Sequence, residues 1–338
     1  MPLATAAATA TMPPAAPALE LIRRPVRDDL AAVDRVIEQR LHSKVSLVNE
    51  IARYIVHSGG KRLRPLLALL SARSLGYTGS QHCDMAVVIE FIHTSTLLHD
   101  DVVDTSSMRR GNATANAVWG NEASVLVGDF LYSRAFQMMV AIHNLRIMEV
   151  MADTTNVIAE GEVLQLLNCH DPETSETHYL EVIQSKTARL FEAAARVGAV
   201  LAQSGNPQED AIARYGLHLG TAYQLVDDVL DYEGASETTG KNVGDDLAEG
   251  KPTLPLIYAM RVGNDSQTAA IRAAIESGGR EHIQTVLAAV ESTGAITYTA
   301  RAAQTEIERA LAALESIPDS PYREALRQLA EFCVSRSF

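Results

Sequence analysis

The sequence predicts an all-α protein with a single folded domain, and three observations support this. From residue 25 onward, apolar residues recur every three or four positions, as in Val33, Ile37 and Leu41. Ala, Leu and Glu, which favour helices, are plentiful, and Gly and Pro fall in short stretches between the periodic blocks. No change of composition divides residues 25–338. We therefore expect about ten helices in one domain and almost no strand.

The overall composition excludes some classes of function. The chain has 338 residues, 29 of them basic and 42 acidic, so its formal net charge is −13. Such an acidic chain is unsuited to non-specific binding of nucleic acid, although it can bind a small anion where its few cations gather. The three cysteines, Cys83, Cys169 and Cys333, have neither metal-ligand spacing nor a disulfide pattern, which is typical of a reducing, cytoplasmic environment.

The beginning of the chain has a different character. Residues 1–19 contain no charged side chain and consist mostly of Ala, Thr and Pro, without the basic start and leucine-rich centre of a secretory signal. We expect a disordered Ala/Pro-rich arm over residues 1–24, ahead of the domain at 25–338. Elsewhere charges interrupt the apolar runs before the ~20 residues needed to span a bilayer, so we expect no transmembrane helix.

Two acidic clusters stand out, "LLHDDVVDTSSMRRG" at 97–111 and "YQLVDDVLDY" at 223–232. Residues four apart lie on the same face of a helix, so Asp100 projects with Asp104, and Asp227 with Asp231. Carboxylates beside apolar runs are costly unless a positive charge neutralises them. Ligand sets made only of oxygen select a hard cation, commonly Mg²⁺. A single such cluster is more often a solvated helix face, but two copies near basic loops favour a metal site.

The few cations also lie in loops, as expected for binding phosphate groups. The segment "GGKRLRP" at 59–65 carries Lys61 and Arg64, and the long predicted loop at 232–252 carries Lys241 and Lys251. Arginine recognises phosphate through paired hydrogen bonds, and lysine supplies a mobile point charge. Two metal-binding faces with several cationic loops suit a substrate with two phosphates, or two such substrates.

The order of these blocks resembles that of the trans-type polyprenyl diphosphate synthases, and most closely the bacterial octaprenyl diphosphate synthases. The blocks are "GGKRLRP", "EFIHTSTLLHDDVVD", "KTARLF", "GTAYQLVDDVLDY" and "TTGKNVGDDLAEGKPTLP". The resemblance covers residues 25–338. It implies the isoprenoid synthase fold, in which a helical bundle surrounds a deep central cavity, and a homodimer. It also implies Mg²⁺-dependent, repeated addition of isopentenyl diphosphate to an allylic diphosphate such as farnesyl diphosphate, with octaprenyl diphosphate as product for quinone side chains.

The resemblance assigns roles to individual residues. About three Mg²⁺ ions are expected, two held by Asp100 and Asp104 and one by Asp227, with Asp228 and Asp231 in support through water. The catalytic set is Asp100, Asp101, Asp104, Lys186 and Asp227. Isopentenyl diphosphate is assigned to Lys61, Arg64, His93 and Arg110. The allylic diphosphate is assigned to Arg109, Lys186, Thr187, Gln224, Lys241 and Lys251.

Product length is expected to depend on residues one and two helical turns before Asp100. These are Ser95 and Thr96, then Phe91 and Ile92. Short-chain relatives place a bulky aromatic residue at the position of Ser95 or Thr96, where it closes the cavity. Both residues are small here, so we expect a long product that grows down the cavity. The sequence leaves open whether the enzyme contacts a membrane transiently to release such an insoluble product.

Four alternatives remain open. The product could be shorter or longer than octaprenyl, from geranylgeranyl to decaprenyl diphosphate. A non-catalytic partner subunit would be expected to lose aspartates or the "GGKRLRP" block, and this chain keeps both. A terpene cyclase would lack that block, because it has no second substrate to hold. A di-iron site needs two Glu-x-x-His pairs, and the chain has one, Glu90 with His93.

Overall fold

The structure of the protein, a computed structural model, describes residues 15–233, 244–279 and 281–335. Helices of the first half are α1 (Ala15–Arg23), α2 (Arg27–Arg40), α3 (Ser46–His57), α4 (Leu63–Ser74), α5 (Gln81–Val103), α6 (Ala115–Trp119), α7 (Asn121–Ile142) and α8 (Leu145–Asn168). Those of the second half are α9 (Glu176–Ile183), α10 (Arg189–Ala202), α11 (Asn206–Glu233), α12 (Asp245–Ala248), α13 (Leu254–Val262), α14 (Asp265–Ser277), α15 (Ile283–Ser292), α16 (Ala295–Ala313) and α17 (Pro321–Val334).

Other regular structure is short. Strands β1 (Met108–Arg109) and β2 (Asn112–Ala113) pair antiparallel in the loop after α5. Turns of 3₁₀-helix cover Arg24–Val26 and Leu314–Ser316, and a π-turn covers Gln184–Ala188. The all-α prediction is confirmed. The described residues hold more helices than the expected ten or so, because single-residue breaks such as Gly120, whose φ is 87°, divide segments that read as one in the sequence.

Helix α5 lies at the centre of the fold. It packs against α2, α4, α7 and α10, and from Met85 to Ile92 every residue is buried. A helix that is apolar on all sides belongs in a core. Its N-terminal two-thirds therefore anchor it, and its C-terminal end carries the first aspartate cluster to the cavity.

The folded part of the chain begins earlier than the sequence suggested. Helix α1 starts at Ala15 and packs against α17, with Leu19 and Ile22 buried. These two residues and Val26 recur every three or four positions, so they form an apolar stripe that the nearby Pro and Ala residues obscure. The expectation of disorder up to residue 24 is wrong for residues 15–24, and residues 1–14 lie outside the described part.

Helix α7 is the one described helix whose length and composition bear on the expectation about membranes. By length and composition alone, Asn121–Ile142 could span a bilayer, and 39% of its most apolar window is buried in the structure. One face of the helix packs along α5 and against α3. The opposite face exposes Leu126 and Val140. Glu122, Asp129 and Arg134 interrupt its apolar sequence. In this structure α7 is a helix of the bundle.

Candidate functional site

A cavity of about 740 Å³ opens between α5, α8, α11 and the π-turn. Its wall contains nearly all of the residues that the sequence assigned to metal and diphosphate binding. They are Lys61, Arg64, His93, Asp100, Asp104, Arg109, Arg110, Lys186, Thr187, Gln224, Asp227, Asp228, Asp231 and Lys251. Asp101 does not line the cavity, and Lys241 lies outside the described residues. Folding thus gathers side chains from widely separated segments around one space.

The first aspartate cluster meets two lysines across the cavity. Lys186 Nζ is 3.6 Å from Asp100 Oδ2, and Lys251 Nζ is 3.1 Å from Asp104 Oδ2. Burial raises the pKa of Asp100, although the nearby ammonium of Lys186 opposes that shift. Burial would lower the pKa of Lys186, but Asp100 and Glu162 together raise it, so the ammonium stays charged. The lysines neutralise carboxylates that burial would otherwise disfavour.

Asp101 holds a neighbouring arginine and does not face the cavity. It is completely buried, and its Oδ1 accepts a hydrogen bond of 2.8 Å from Arg109 Nε and forms an ion pair with Arg109 Nη2 at 2.8 Å. Arg109 itself lies on the cavity wall. The catalytic role of Asp101 stays a prediction; these contacts favour a positioning role, in which its charge orients the Arg109 guanidinium towards the cavity.

Asp227 and Asp228 are adjacent in sequence but differ in their contacts. Within the described residues, the Asp227 carboxylate makes no hydrogen bond or ion pair, and it faces the cavity. Asp228 is 1% exposed. Its Oδ2 accepts a hydrogen bond of 2.5 Å from the Tyr179 hydroxyl, and its Oδ1 accepts one of 2.8 Å from Gln224 Nε2. Asp227 is the carboxylate of the second cluster that is available to a cation.

Asp231 caps the short helix α12. Its two carboxylate oxygens accept hydrogen bonds of 3.2 Å from the backbone N–H groups of Asp245 and Asp246, and this satisfies donors at the helix N-terminus. The expected support of a metal through water by Asp228 and Asp231 is therefore not what these contacts favour. Both residues line the cavity, so their role in metal binding stays a prediction.

The π-turn Gln184–Ala188 places Lys186 and Thr187 on the cavity wall. Such single-turn interruptions of α-helices are frequent at functional sites. The Thr187 hydroxyl donates to Gln224 Oε1 at 3.0 Å, and Gln224 donates onward to Asp228. The hydrogen-bonded chain from Thr187 to Tyr179 fixes the amide of Gln224, since both ends of that amide are engaged.

A smaller, strongly basic pocket opens on the same cavity. Its wall includes Lys61, Arg64, His93 and Arg110, which are the four residues assigned to isopentenyl diphosphate. The Arg64 guanidinium lies over the Phe191 ring, and its Nη1 is 3.2 Å from His93 Nε2. Burial lowers the pKa of His93, and the charges of Arg64 and Arg110 lower it further. The neutral imidazole can accept a hydrogen bond from Arg64 without neutralising its charge. The positive charges of the pocket therefore stay available to an anion.

Gly60 in the "GGKRLRP" segment is required by the position of Arg110. The φ of Gly60 is 126°, and a Cβ built there would lie 2.6 Å from Arg110 Nη1. Arg110 donates a hydrogen bond to the carbonyl of Gly59. A side chain at position 60 would displace the arginine from the basic pocket.

Three glutamates near these groups were not assigned from the sequence. Glu90 lines the basic pocket, and burial raises its pKa despite the nearby arginines. The basic side chains around the Glu90–His93 pair suit an anion and not a pair of iron ions. Glu162 and Glu249 each contact a cavity lysine, and burial together with Asp100 raises the pKa of Glu162 to about 7. Glu162 and Glu249 could have been expected on one ground, because a buried lysine at such a site needs a second counter-charge.

Of the four residues predicted to control product length, Thr96 lines the cavity. Ser95 is 1% exposed, and its hydroxyl donates to the Gly128 carbonyl of α7 at 2.8 Å. Phe91 and Ile92 are fully buried in the core. Contact of these three residues with a growing chain stays a prediction, because it requires the chain to reach deeper than this cavity.

Comparison with known proteins identifies the family. Residues 45–292 match the family model for polyprenyl synthetases. The chain is 54% identical to the octaprenyl diphosphate synthase of Escherichia coli K12, over 94% of this chain and 99% of that protein. The chain belongs to the polyprenyl synthetase family. It is also 47% identical to an all-trans-nonaprenyl-diphosphate synthase of Rhodobacter capsulatus, over 93% of this chain and 97% of that one.

Solved structures of polyprenyl synthetases share the fold. A decaprenyl diphosphate synthase from Rhodobacter capsulatus matches with a TM-score of 0.90 and 42% identity, over 95% of this chain and 99% of that chain. A polyprenyl synthase from Caulobacter crescentus, complexed with calcium and isoprenyl diphosphate, matches with a TM-score of 0.91 and 43% identity, over 95% and 98%. The predicted family, the isoprenoid synthase fold and the prenyltransferase activity are confirmed.

Proposed function

We propose that this polyprenyl synthetase extends farnesyl diphosphate with isopentenyl diphosphate to all-trans octaprenyl diphosphate, for the side chain of a quinone. One observation carries the two-substrate chemistry: the carboxylate-rich wall and the basic pocket open on one cavity. The carboxylate-rich wall suits a diphosphate that binds together with metal cations. The basic pocket suits a diphosphate that is bound by side chains alone. The octaprenyl diphosphate synthase of Escherichia coli supports the product length.

The residues present fit Mg²⁺. Asp100, Asp104 and Asp227 supply oxygen ligands around the cavity, the donor type that Mg²⁺ prefers. We infer that Asp100 and Asp104 hold two ions and Asp227 a third, about three in all. When bound, the ions stabilise negative charge on the departing diphosphate. The Caulobacter crescentus relative, complexed with calcium and isoprenyl diphosphate, supports the binding of a divalent cation.

The cavity residues divide between the two substrates. Arg109, Lys186 and Lys251 donate hydrogen bonds to the allylic diphosphate, and their charges stabilise it as a leaving group. Lys61, Arg64 and Arg110 hold isopentenyl diphosphate in the basic pocket. The two pockets share part of their wall, so the double bond of one substrate is held beside the allylic carbon of the other.

The reaction then balances without a side chain acting as base. The allylic C–O bond breaks, its electrons leave with the diphosphate, and an allylic cation remains. The double bond of isopentenyl diphosphate forms the new C–C bond, and the proton that is lost passes to the released diphosphate. Ile183, Leu190 and other apolar residues on the cavity wall keep water from the cation.

The test is one incubation of the purified chain with Mg²⁺, farnesyl diphosphate and labelled isopentenyl diphosphate. After dephosphorylation, chromatography is expected to show octaprenol as the main product, and removal of divalent cations with a chelator should abolish it. A main product of geranylgeranyl length would overturn the long-chain assignment. No turnover by the chain alone, recovered on adding a second polypeptide, would support a subunit of a heteromeric enzyme.

We further propose that the enzyme is a cytoplasmic homodimer that contacts the membrane transiently to unload its product. Of the large apolar side chains exposed in the described residues, six lie on α7 and α8. They are Leu126, Val140, Leu145, Val163, Leu166 and Leu167. Exposed apolar surface of this kind marks association sites, and a second copy of the chain would bury it.

A further inference from the structure

Each lysine beside the first aspartate cluster is shared with a glutamate outside both clusters. Lys186 Nζ lies 2.6 Å from Glu162 Oε2 and 3.6 Å from Asp100 Oδ2. Lys251 Nζ donates to Glu249 Oε2 and lies 3.1 Å from Asp104 Oδ2. In both cases the glutamate is nearer to the ammonium than the aspartate is. The two groups come from different segments of the chain, and in each of them one lysine lies between a glutamate and an aspartate.

The backbone around Glu162 fixes it opposite Lys186. A Cβ built on Gly161 would lie 2.7 Å from Cβ of Ser185 and 2.9 Å from the backbone N of Lys186. Helix α8 and the π-turn are therefore in backbone contact at this point. The residue after Gly161 is Glu162, whose carboxylate meets the lysine across that contact.

The backbone around Glu249 is also fixed, by His170, which lies two residues after the end of α8. His170 N–H donates to the Gly250 carbonyl at 2.8 Å, and its Nδ1 is 3.0 Å from the Ile275 carbonyl. Gly250 has a φ of 70°, and a Cβ there would lie 2.3 Å from His170 Nδ1. The loop that carries Glu249 and Lys251 therefore packs closely against this histidine.

A substrate-bound site makes different demands on these groups. Asp100 and Asp104 then have to turn their oxygens to cations, so each lysine loses one of its two carboxylate partners. A lysine ammonium has three donors on a flexible stem. A glutamate that accepts a hydrogen bond from one N–H of the ammonium leaves the other two N–H groups for phosphate oxygens. It also prevents the lysine side chain from moving away from the cavity wall.

We propose that Glu162 and Glu249 are positioning residues that hold Lys186 and Lys251 at the cavity wall while the aspartates bind cations and the ammonium groups bind the allylic diphosphate. The inference rests on the proposed function, since it assigns these lysines to that substrate. It adds two residues to the site, neither of them in contact with the reacting carbons. Their effect is exerted through the lysines alone.

The test compares Glu162→Ala with Glu162→Gln, varying farnesyl diphosphate at saturating isopentenyl diphosphate and then the reverse. Loss of a charge-assisted hydrogen bond is expected to raise KM for the allylic substrate roughly tenfold in the alanine variant. KM for isopentenyl diphosphate should stay within about twofold, since neither Glu162 nor Lys186 lines the basic pocket. The glutamine variant keeps an acceptor and should recover much of the loss. The exposed Glu160→Ala on the same helix is the matched control.

A double-mutant cycle tests whether Glu162 acts through its lysine. In a Lys186→Ala background, Glu162→Ala should add no further change in the allylic KM. The same cycle applies to Glu249 and Lys251. Equal KM values for Glu162→Ala and Glu160→Ala, or equal increases for both substrates, would overturn the inference while wild-type product formation still upheld the proposed function. Circular dichroism and thermal melting show whether each variant folds.

Discussion

At the scale of single residues, the aspartates of the two clusters divide by what their oxygens contact. Asp100, Asp104 and Asp227 lie on the cavity wall and are available to cations or lysines. Asp101, Asp228 and Asp231 accept hydrogen bonds from the chain itself. The DDxxD pattern predicts all of them as site residues, but it does not separate ligands from supports, since neighbours on a helix differ by about 100° in direction.

Product length is expected to respond to Thr96. Replacing Thr96 with Phe puts a ring on the cavity wall one turn below Asp100, so the chain should stop growing several isoprene units earlier. Chromatography of the dephosphorylated products measures this. Thr96→Val is the matched control, because it keeps the shape and loses only a hydroxyl that bonds the His93 carbonyl at 2.9 Å. An unchanged product in Thr96→Phe would remove Thr96 from length control.

His93 is expected to make stability depend on pH. Burial and the arginines hold its pKa well below the ordinary 6.5, so the unfolded chain binds a proton here more readily than the folded one. The stabilisation is complete above about pH 6.5 and is lost as the pH falls further. Denaturant unfolding at about pH 8 and about pH 5.5 measures it. Wild type should lose more free energy of unfolding than His93→Gln, and equal losses would contradict the shift.

At the scale of elements, close backbone contact sets the geometry of the site. Helix α8 and the π-turn touch at Gly161, and α12 is held by Asp231 at its first N–H groups. The sequence predicts the helices on either side but not these contacts. A π-turn has no characteristic amino-acid composition that would predict it. The residue whose small size allows the close contact, Gly161, lies on another helix.

Gly161→Ala is the test at this scale. In an open helix, replacing Gly with Ala stabilises by about 1 kcal/mol. Here the added Cβ would meet the backbone of Lys186, so we expect a net loss of about 1–3 kcal/mol in the free energy of unfolding. Lower turnover should accompany it as Lys186 moves. Denaturant unfolding measures whether the free energy of unfolding falls or rises. A more stable variant would contradict the prediction and show that the backbone at Lys186 can move to accommodate the added Cβ.

At the scale of the whole molecule, several exposed apolar side chains of the described residues gather on two helices of the bundle. Helix α5 is enclosed by its neighbours, whereas α7 and the second half of α8 expose apolar side chains. The proposed homodimer would account for the composition of α7, which is apolar enough to resemble a membrane helix. A helix buried on one side by α5 and on the other by a second copy is apolar on both faces.

The homodimer can be tested by placing a charge on this region. Leu126→Glu and Val163→Glu should shift the mass measured by light scattering during gel filtration from dimer towards monomer, because a buried carboxylate without a partner is costly. Val262→Glu makes the same change at an exposed apolar residue of α13 and serves as the control. A wild-type protein that elutes as a monomer at micromolar concentration would contradict the homodimer.

The helical class, the family and most of the charged residues on the cavity wall could be predicted from the sequence. These predictions rest on local information, namely the apolar periodicity, the loop residues and the short motifs in their order along the chain. Each of these signals can be read without knowledge of the tertiary structure. Arg64 and Arg110, for example, were assigned to one pocket although the chain separates them by 46 positions, 110 minus 64.

The tertiary structure alone decided how those residues are used. It turned Asp101 towards Arg109, placed Thr96 rather than Ser95 on the cavity wall, and brought Glu162 to Lys186. Each outcome depends on how a helix is rotated and on which side chain of another helix faces it. Those relations arise only when distant segments pack together, because the hydrogen bonds and charges that select them come from residues far away in the chain.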